Sequence, residues 1–157
     1  AEDAALGAER RAEAAFPAVP TVDDLSHHIF TSGSTGTPKA VSVTHRALHT
    51  YACEKIAIHQ IGLGSRVLLA SAHTWDPCIG DVFSTLAVGA TLCVAPRALI
   101  VHHLADTLQQ TDASHVTLTP SLWSLLGVTP AALPCLKCVA LGGEALRLPS
   151  VSQWMEA

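Results

Sequence analysis

Charge is scarce in this chain. Asp, Glu, Lys and Arg make up only 14% of its 157 residues, against roughly 25% in a typical soluble domain. Positive charge is scarcer still, with nine Lys and Arg against thirteen Asp and Glu, for a net charge of −4. That balance offers no basic field to a nucleic acid or to an anionic membrane surface. No run of about 18 apolar residues occurs, so a membrane-spanning helix is not expected. The opening AEDAALGAERRAEAAF is charged and alanine-rich without an apolar centre, which does not read as a secretory signal. Methionine is missing from the first position, and the sequence reads as an incomplete one.

Paired cysteines are also lacking. There are five, an odd number without secretory features, as expected of reduced thiols in the cytoplasm. Cys135 and Cys138 form a C-x-x-C with no second pair at zinc-ribbon spacing. They lie in a strand-like run, where residues three apart point to opposite faces, so packed thiols are expected there and no metal site. Of the nine histidines, His27-His28 and His102-His103 show no H-x-x-x-H pattern of ligands on a helix face, and surface or interface positions are expected for the histidines.

Apolar residues are abundant, at 49% of the chain. With so little charge to cover them, an isolated module would expose large apolar patches, so the chain is expected to be part of a larger domain. The segment 1–24 reads as an alanine-rich helical leader to about residue 16, followed by a linker marked by Pro17 and Pro20. Beyond it, strands are expected at Leu25–Thr31, Val41–Val43, Arg66–Ala70, Ala90–Ala95, His115–Leu118 and Leu136–Leu141. Helices are expected over about 45–60, 78–88, 98–110 and 120–126. Leu48, Cys53, Ile56 and Ile58 would form the apolar face of the first, with Thr44 as its cap. This alternation predicts an α/β fold, a largely parallel sheet flanked by helices. Ligands in such sheets gather beyond the carboxyl ends of the strands. Three polar or glycine-rich segments follow expected strands, at 31–39, 71–76 and 142–144, and are expected to meet at one rim.

The first of these is Thr31-Ser32-Gly33-Ser34-Thr35-Gly36-Thr37-Pro38-Lys39. Glycines let backbone N–H groups approach a ligand, hydroxyls add donors and the lysine adds a point charge, which together suit a polyphosphate. No Walker A spacing passes through it. A solvated Ser/Gly loop is the plain alternative for such a pattern alone.

The full string TSGSTGTPKAV resembles the phosphate-binding loop of the adenylate-forming superfamily, which includes acyl-CoA synthetases, luciferases and the adenylation domains of nonribosomal peptide synthetases. Ala40 stands where those families usually carry a glycine, a change that costs little unless its φ is positive. A second segment, AHTWDPCIGDVF followed by GATL, is similar to the peptide-synthetase form, with Trp75 in place of the customary phenylalanine. The resemblance covers about residues 25–157, read as a partial adenylation domain that stops before further family motifs.

The resemblance implies ATP as cosubstrate, with Thr31, Ser32, Gly33, Ser34, Thr35, Gly36 and Lys39 on its phosphates and Gly142, Gly143 and Glu144 beside adenine. It implies an amino acid whose ammonium pairs with Asp76, in a pocket lined by Asp76, Pro77, Gly80, Thr117, Val139 and Leu141. Gly80 replaces what is often a large side chain, so a large apolar or aromatic substrate is expected. Three plain alternatives stand beside these assignments: Asp76 as a helix cap before Pro77, Val139 and Leu141 as strand core, and His45 as a packing or capping residue. The implied activity is formation of aminoacyl-AMP and pyrophosphate, then transfer to a phosphopantetheine thiol on a carrier domain. Partners would be the rest of the adenylation domain and carrier and condensation domains. The Mg2+ ligand and the residues that act directly on the reacting atoms are expected outside this chain, which alone would be inactive. The other readings are a fatty- or aryl-acid adenylating ligase and a non-catalytic nucleotide-binding module.

Overall fold

A computed structural model describes residues 19–32, 36–146 and 152–155. The expected leader helix over 1–16, and Gly33, Ser34 and Thr35 of the loop, lie outside the described residues. Among the described residues six strands are formed: β1 (Leu25–Thr31), β2 (Lys39–Thr44), β3 (Arg66–Leu68), β4 (Thr91–Cys93), β5 (His115–Leu118) and β6 (Cys138–Leu141). The helices are α1 (His45–His59), α2 (Asp76–Ala87), α3 (Arg97–His102), α4 (Leu104–Gln110), α5 (Pro120–Ser124) and α6 (Ser152–Met155). The α/β class expected from the alternation of elements is what forms, with β3 to β6 in one parallel sheet ordered β4-β3-β5-β6.

One part of the expected organisation is corrected. β1 and β2 do not join the parallel sheet; they pair antiparallel as a separate two-stranded sheet, with Thr31 opposite Lys39 and Phe30 opposite Ala40. The reason is chain length. A parallel neighbour needs a crossover of a dozen or more residues, and only residues 32–38 separate these strands. The loop is therefore the tip of a hairpin rather than one rim of the parallel sheet. Among the described non-glycine residues only Gln60 and Asp112 have positive φ, so Ala40 sits in β2 without the strain its replacement of glycine could have carried. Gly36, with φ of 79° and no atom near its would-be Cβ, is where the tip needs glycine.

α1 starts where Thr44 accepts a hydrogen bond from the Ala47 N–H at 3.2 Å, and ends at Gln60 in the left-handed region. Its inward stripe differs from the expected one. Leu48, Ala52 and Lys55 are buried, while Cys53 is exposed and Ile58 is 73% exposed. The single helix expected over 98–110 is two, because His103 leaves helical geometry (φ −138°, ψ 41°) and its N–H closes α3 on the Leu99 carbonyl. On one face of the parallel sheet, Leu68, Val116 and Leu118 pack with Ile100, Leu104 and Leu108 of α3 and α4 and Trp123 of α5. That buried apolar surface is the main stabilising term of the fold.

The other face, under α1 and α2, is polar at its centre. Lys55 Nζ lies 2.7 Å from Asp81 Oδ1, and the two side chains are 5% and 1% exposed. Lys55 also donates to the Thr117 hydroxyl at 3.2 Å, which in turn donates to Asp81 Oδ1 at 2.9 Å. Asp81 Oδ2 and Ser84 Oγ are buried without a hydrogen-bond partner among the described residues. Burial pushes the Asp81 carboxyl above its usual range, and Lys55 and Thr117 offset part of that. A second tie holds the end of α1. His115 donates from Nε2 to the His59 carbonyl at 3.0 Å, while its Nδ1 faces the Ser114 hydroxyl at 2.7 Å. Desolvation lowers the His115 pKa, in keeping with a neutral ring that donates on one side and accepts on the other.

Removing one partner of a buried pair leaves the other charge uncompensated. Lys55→Met is therefore expected to lower unfolding stability by about 3–5 kcal/mol, and the double change Lys55→Met with Asp81→Leu to recover most of it. Urea unfolding of the protein and its two variants checks this; a single variant as stable as the parent would contradict the buried pair.

Candidate functional site

The hairpin, α1 and the start of α2 border an open cavity of about 460 Å³. Ile29 and Thr31 of β1, Val41 and Val43 of β2, Leu48 and Tyr51 of α1, and Asp76 and Ile79 of α2 border it. Thr31 begins the phosphate-loop string and Asp76 is the expected ammonium anchor, so the fold brings the first two expected segments to one cavity. Each is placed by local rules. Thr31 ends a strand whose alternate residues face the cavity, and its hydroxyl donates to the Lys39 carbonyl at 3.4 Å across the hairpin. Asp76 opens α2 directly before Pro77, a proline that fits a first turn because its missing N–H would be unbonded there. The cap position belongs to Trp75, and no side chain caps this helix. Asp76 is exposed, borders the cavity and sits in the first helical turn, where the helix dipole favours a negative charge.

The third expected segment joins through Trp75. Its indole lies against Gly143, where an added Cβ would sit 2.8 Å from Cζ2, and Gly143 has φ of 84°. Both facts require glycine there. Gly142 has neither constraint, with no atom within 4 Å of its would-be Cβ. Glu144 has a definite local role. Its Oε2 accepts the Ser121 N–H at 3.0 Å and also the Ser121 hydroxyl, which ties the turn after β6 to the first turn of α5. Those bonds hold its carboxyl below the usual range.

The expected substrate-lining residues divide. Asp76 and Gly80 lie one turn apart on α2, a spacing that puts them on one face. Thr117 belongs to the same side of the sheet, where its hydroxyl is engaged by Lys55 and Asp81. Val139 and Leu141 pair with Val116 and Leu118 and pack against the opposite-face core, the strand-core placement that was their plain alternative. The expectation of a large substrate rested on room left by Gly80. That room is filled: a Cβ on Gly80 would meet Tyr51 Cε1 at 2.4 Å and the Tyr51 hydroxyl oxygen at 2.7 Å. His45, half-buried, begins α1 and donates its backbone N–H to the Asp24 carbonyl at 3.1 Å. Cys135 is exposed rather than packed, and Cys138 is half-buried.

Sequence reasoning missed Lys55, Asp81 and Tyr51. Their signal is spacing: Leu48, Ala52, Lys55 and His59 follow a helical stripe with Tyr51 beside it. Asp81 interrupts an otherwise uncharged helix after its first residue, in a chain with few charges to spare.

The family model described as AMP-binding enzyme matches residues 1–157. Nonribosomal peptide synthetase 8 of Aspergillus fumigatus is 35% identical over 139 residues, covering 86% of this chain and 2% of the relative. Nonribosomal peptide synthetase 13 of the same organism is 40% identical over 134 residues, covering 85% of this chain and 6% of the relative. The chain thus spans only a small share of these relatives' length. Among solved structures, the Vibrio cholerae adenylation domain AlmE in complex with glycyl-adenosine-5'-phosphate superposes with a TM-score of 0.81 at 27% identity, covering 88% of this chain and 27% of that one. The nonribosomal peptide synthetase FmoA3 superposes with a TM-score of 0.76 at 25% identity, covering 88% of this chain and 15% of that one.

The contact between Trp75 and Gly143 yields a paired test. Gly143→Ala is expected to cost about 1–2 kcal/mol from its left-handed backbone alone, and to shift tryptophan fluorescence as the indole moves. Gly142→Ala should change neither. Thermal unfolding and emission spectra of both variants check the contrast, and equal behaviour of the two would contradict it.

Proposed function

The chain belongs to the AMP-binding enzyme family, and from that premise we propose that the protein carrying it activates an amino acid with ATP for nonribosomal peptide synthesis. The reaction joins the amino acid's carboxylate to the α-phosphate of ATP and releases pyrophosphate. The aminoacyl group then passes from AMP, which is released, to a phosphopantetheine thiol on a carrier domain. One observation carries the reading: Asp76 borders the same cavity as Thr31, the first residue of the phosphate-loop string. An α-ammonium on Asp76 would leave the substrate carboxylate free to face phosphates held at the hairpin tip. The reaction asks mainly for positioning and charge neutralisation.

Within this reading, Thr31, Ser32, Ser34, Thr35 and Lys39 hold the β- and γ-phosphates, with Gly33 and Gly36 allowing close backbone approach. The residue types suit that role, since hydroxyls and a lysine flank Gly36 in the chain, and Gly36 adopts a positive φ with open space beside it. Gly142 and Gly143 offer a flat backbone to adenine, and Glu144 fixes that turn. Residues 25–157 form part of an adenylation domain, with 1–24 leading into it. Mg2+ ligands, the remainder of that domain and carrier and condensation domains are supplied by other residues of the protein. The apolar walls of the cavity favour an apolar side chain. A cytoplasmic setting fits the five unpaired cysteines. Among the described residues no helix is long and apolar enough to cross a membrane.

Amino-acid-dependent ATP–pyrophosphate exchange by the full-length protein tests the proposal. Asp76→Asn is expected to lose most amino-acid-dependent exchange, and Lys39→Ala to reduce it about tenfold or more, since a hydrogen bond to a charged group is worth about 1.5–3 kcal/mol. Exchange that responds to fatty or aryl acids and to no amino acid would overturn the reading, as would silence toward every acid.

A further inference from the structure

Gly80 lies under a side chain from another helix. Tyr51 of α1 places its ring where a residue at position 80 would carry its own Cβ, with Cε1 at 2.4 Å and Cζ at 2.8 Å from that point. The same Tyr51 borders the cavity of about 460 Å³ together with Asp76 and Ile79 of α2. Asp76, Ile79 and Gly80 follow the i, i+3, i+4 spacing of one helical face. The wall beside the expected ammonium anchor is therefore built by α1. Tyr51 is not enclosed in a packed core; it remains 43% exposed. Its position is fixed from below, because Lys55, one turn along α1, is held at 2.7 Å by Asp81, the neighbour of Gly80.

We propose that Tyr51 is a specificity-determining residue, whose ring closes the depth of the amino-acid side-chain pocket beside Asp76 and selects compact aliphatic side chains over aromatic ones. This rests on the reading of Asp76 as the amino-acid anchor. Tyr51 acts by occupying volume, so its effect falls on the choice among substrates. Lys55 and Asp81 act through it as positioning residues.

The test is ATP–pyrophosphate exchange by the full-length protein with L-valine, L-leucine, L-phenylalanine and L-tryptophan. Steric discrimination in an apolar pocket is worth about 10–200-fold. Tyr51→Ala is thus expected to raise the kcat/KM ratio of phenylalanine or tryptophan over valine about tenfold or more. Tyr51→Phe, which keeps the ring, should hold the parent ratio. Gly80→Ala forces a Cβ into the ring and should depress exchange with every amino acid, and adding Tyr51→Ala should restore it. A Tyr51→Ala protein whose ratio stays within about twofold of the parent overturns the inference while leaving Asp76 as anchor intact. The same holds for a Gly80→Ala protein as active as the parent. A parent protein that exchanges with no amino acid overturns the reading of Asp76 and this inference together.

Discussion

The structure turns on one buried ion pair. Lys55 and Asp81 meet at 2.7 Å with almost no solvent exposure, and the Thr117 hydroxyl bridges them. Three elements, α1, α2 and β5, are joined at that point. A buried charge without its partner is costly, so a packing of the two helices that brings these side chains together is favoured over one that separates them. That packing decides where Asp76 stands, five residues before Asp81, and where Tyr51 stands, four before Lys55. It also decides how α1 follows β2, and so where the hairpin carrying the phosphate loop lies. The polar centre ties α1, α2 and β5 together on this face, while the opposite face supplies apolar burial.

Much of the fold is legible in the sequence, and the reasons are local. β5 has the expected bounds and is buried on both faces, with Val116 and Leu118 in the apolar core and Thr117 turned toward Lys55 and Asp81. α1 begins at its threonine cap, and α5 begins with Pro120 after Thr119, which accepts the Leu122 N–H at 3.3 Å. The hairpin is harder to place because Leu25–Thr31 looks like any strand leading to a ligand loop; only the short distance to Val41 shows that the chain must return antiparallel. The inward stripe of α1 is hidden because Ile56 and Ile58 outrank a lysine on any hydropathy scale, whereas Lys55 is held inside by a partner 26 residues away. Pairing at that distance leaves no periodic trace.

The site is legible in its motifs and not in its walls. The loop string, Trp75-Asp76-Pro77 and Gly142-Gly143 each announce a polar or backbone-open element, and the fold ties them together through the cavity shared by Thr31 and Asp76 and the contact of Trp75 with Gly143. The shape of the space beside Asp76 is not written there, because a glycine in the sequence says that room exists without saying what fills it. Here Tyr51 fills it from another helix. The chain belongs to the AMP-binding enzyme family, and the roles proposed for these elements divide among them, with phosphates at the hairpin tip, ammonium at Asp76 and side-chain selection at Tyr51.

The central claim is that hairpin tip and Asp76 serve one substrate in one cavity. A crystal structure of the full-length protein with a non-hydrolysable aminoacyl-adenylate analogue tests it most directly. The account predicts the ligand's ammonium within hydrogen-bonding distance of Asp76, its side chain against the ring of Tyr51 and its phosphate side toward Thr31. An ammonium bound away from Asp76, with the cavity between hairpin and helices empty of ligand, would contradict it.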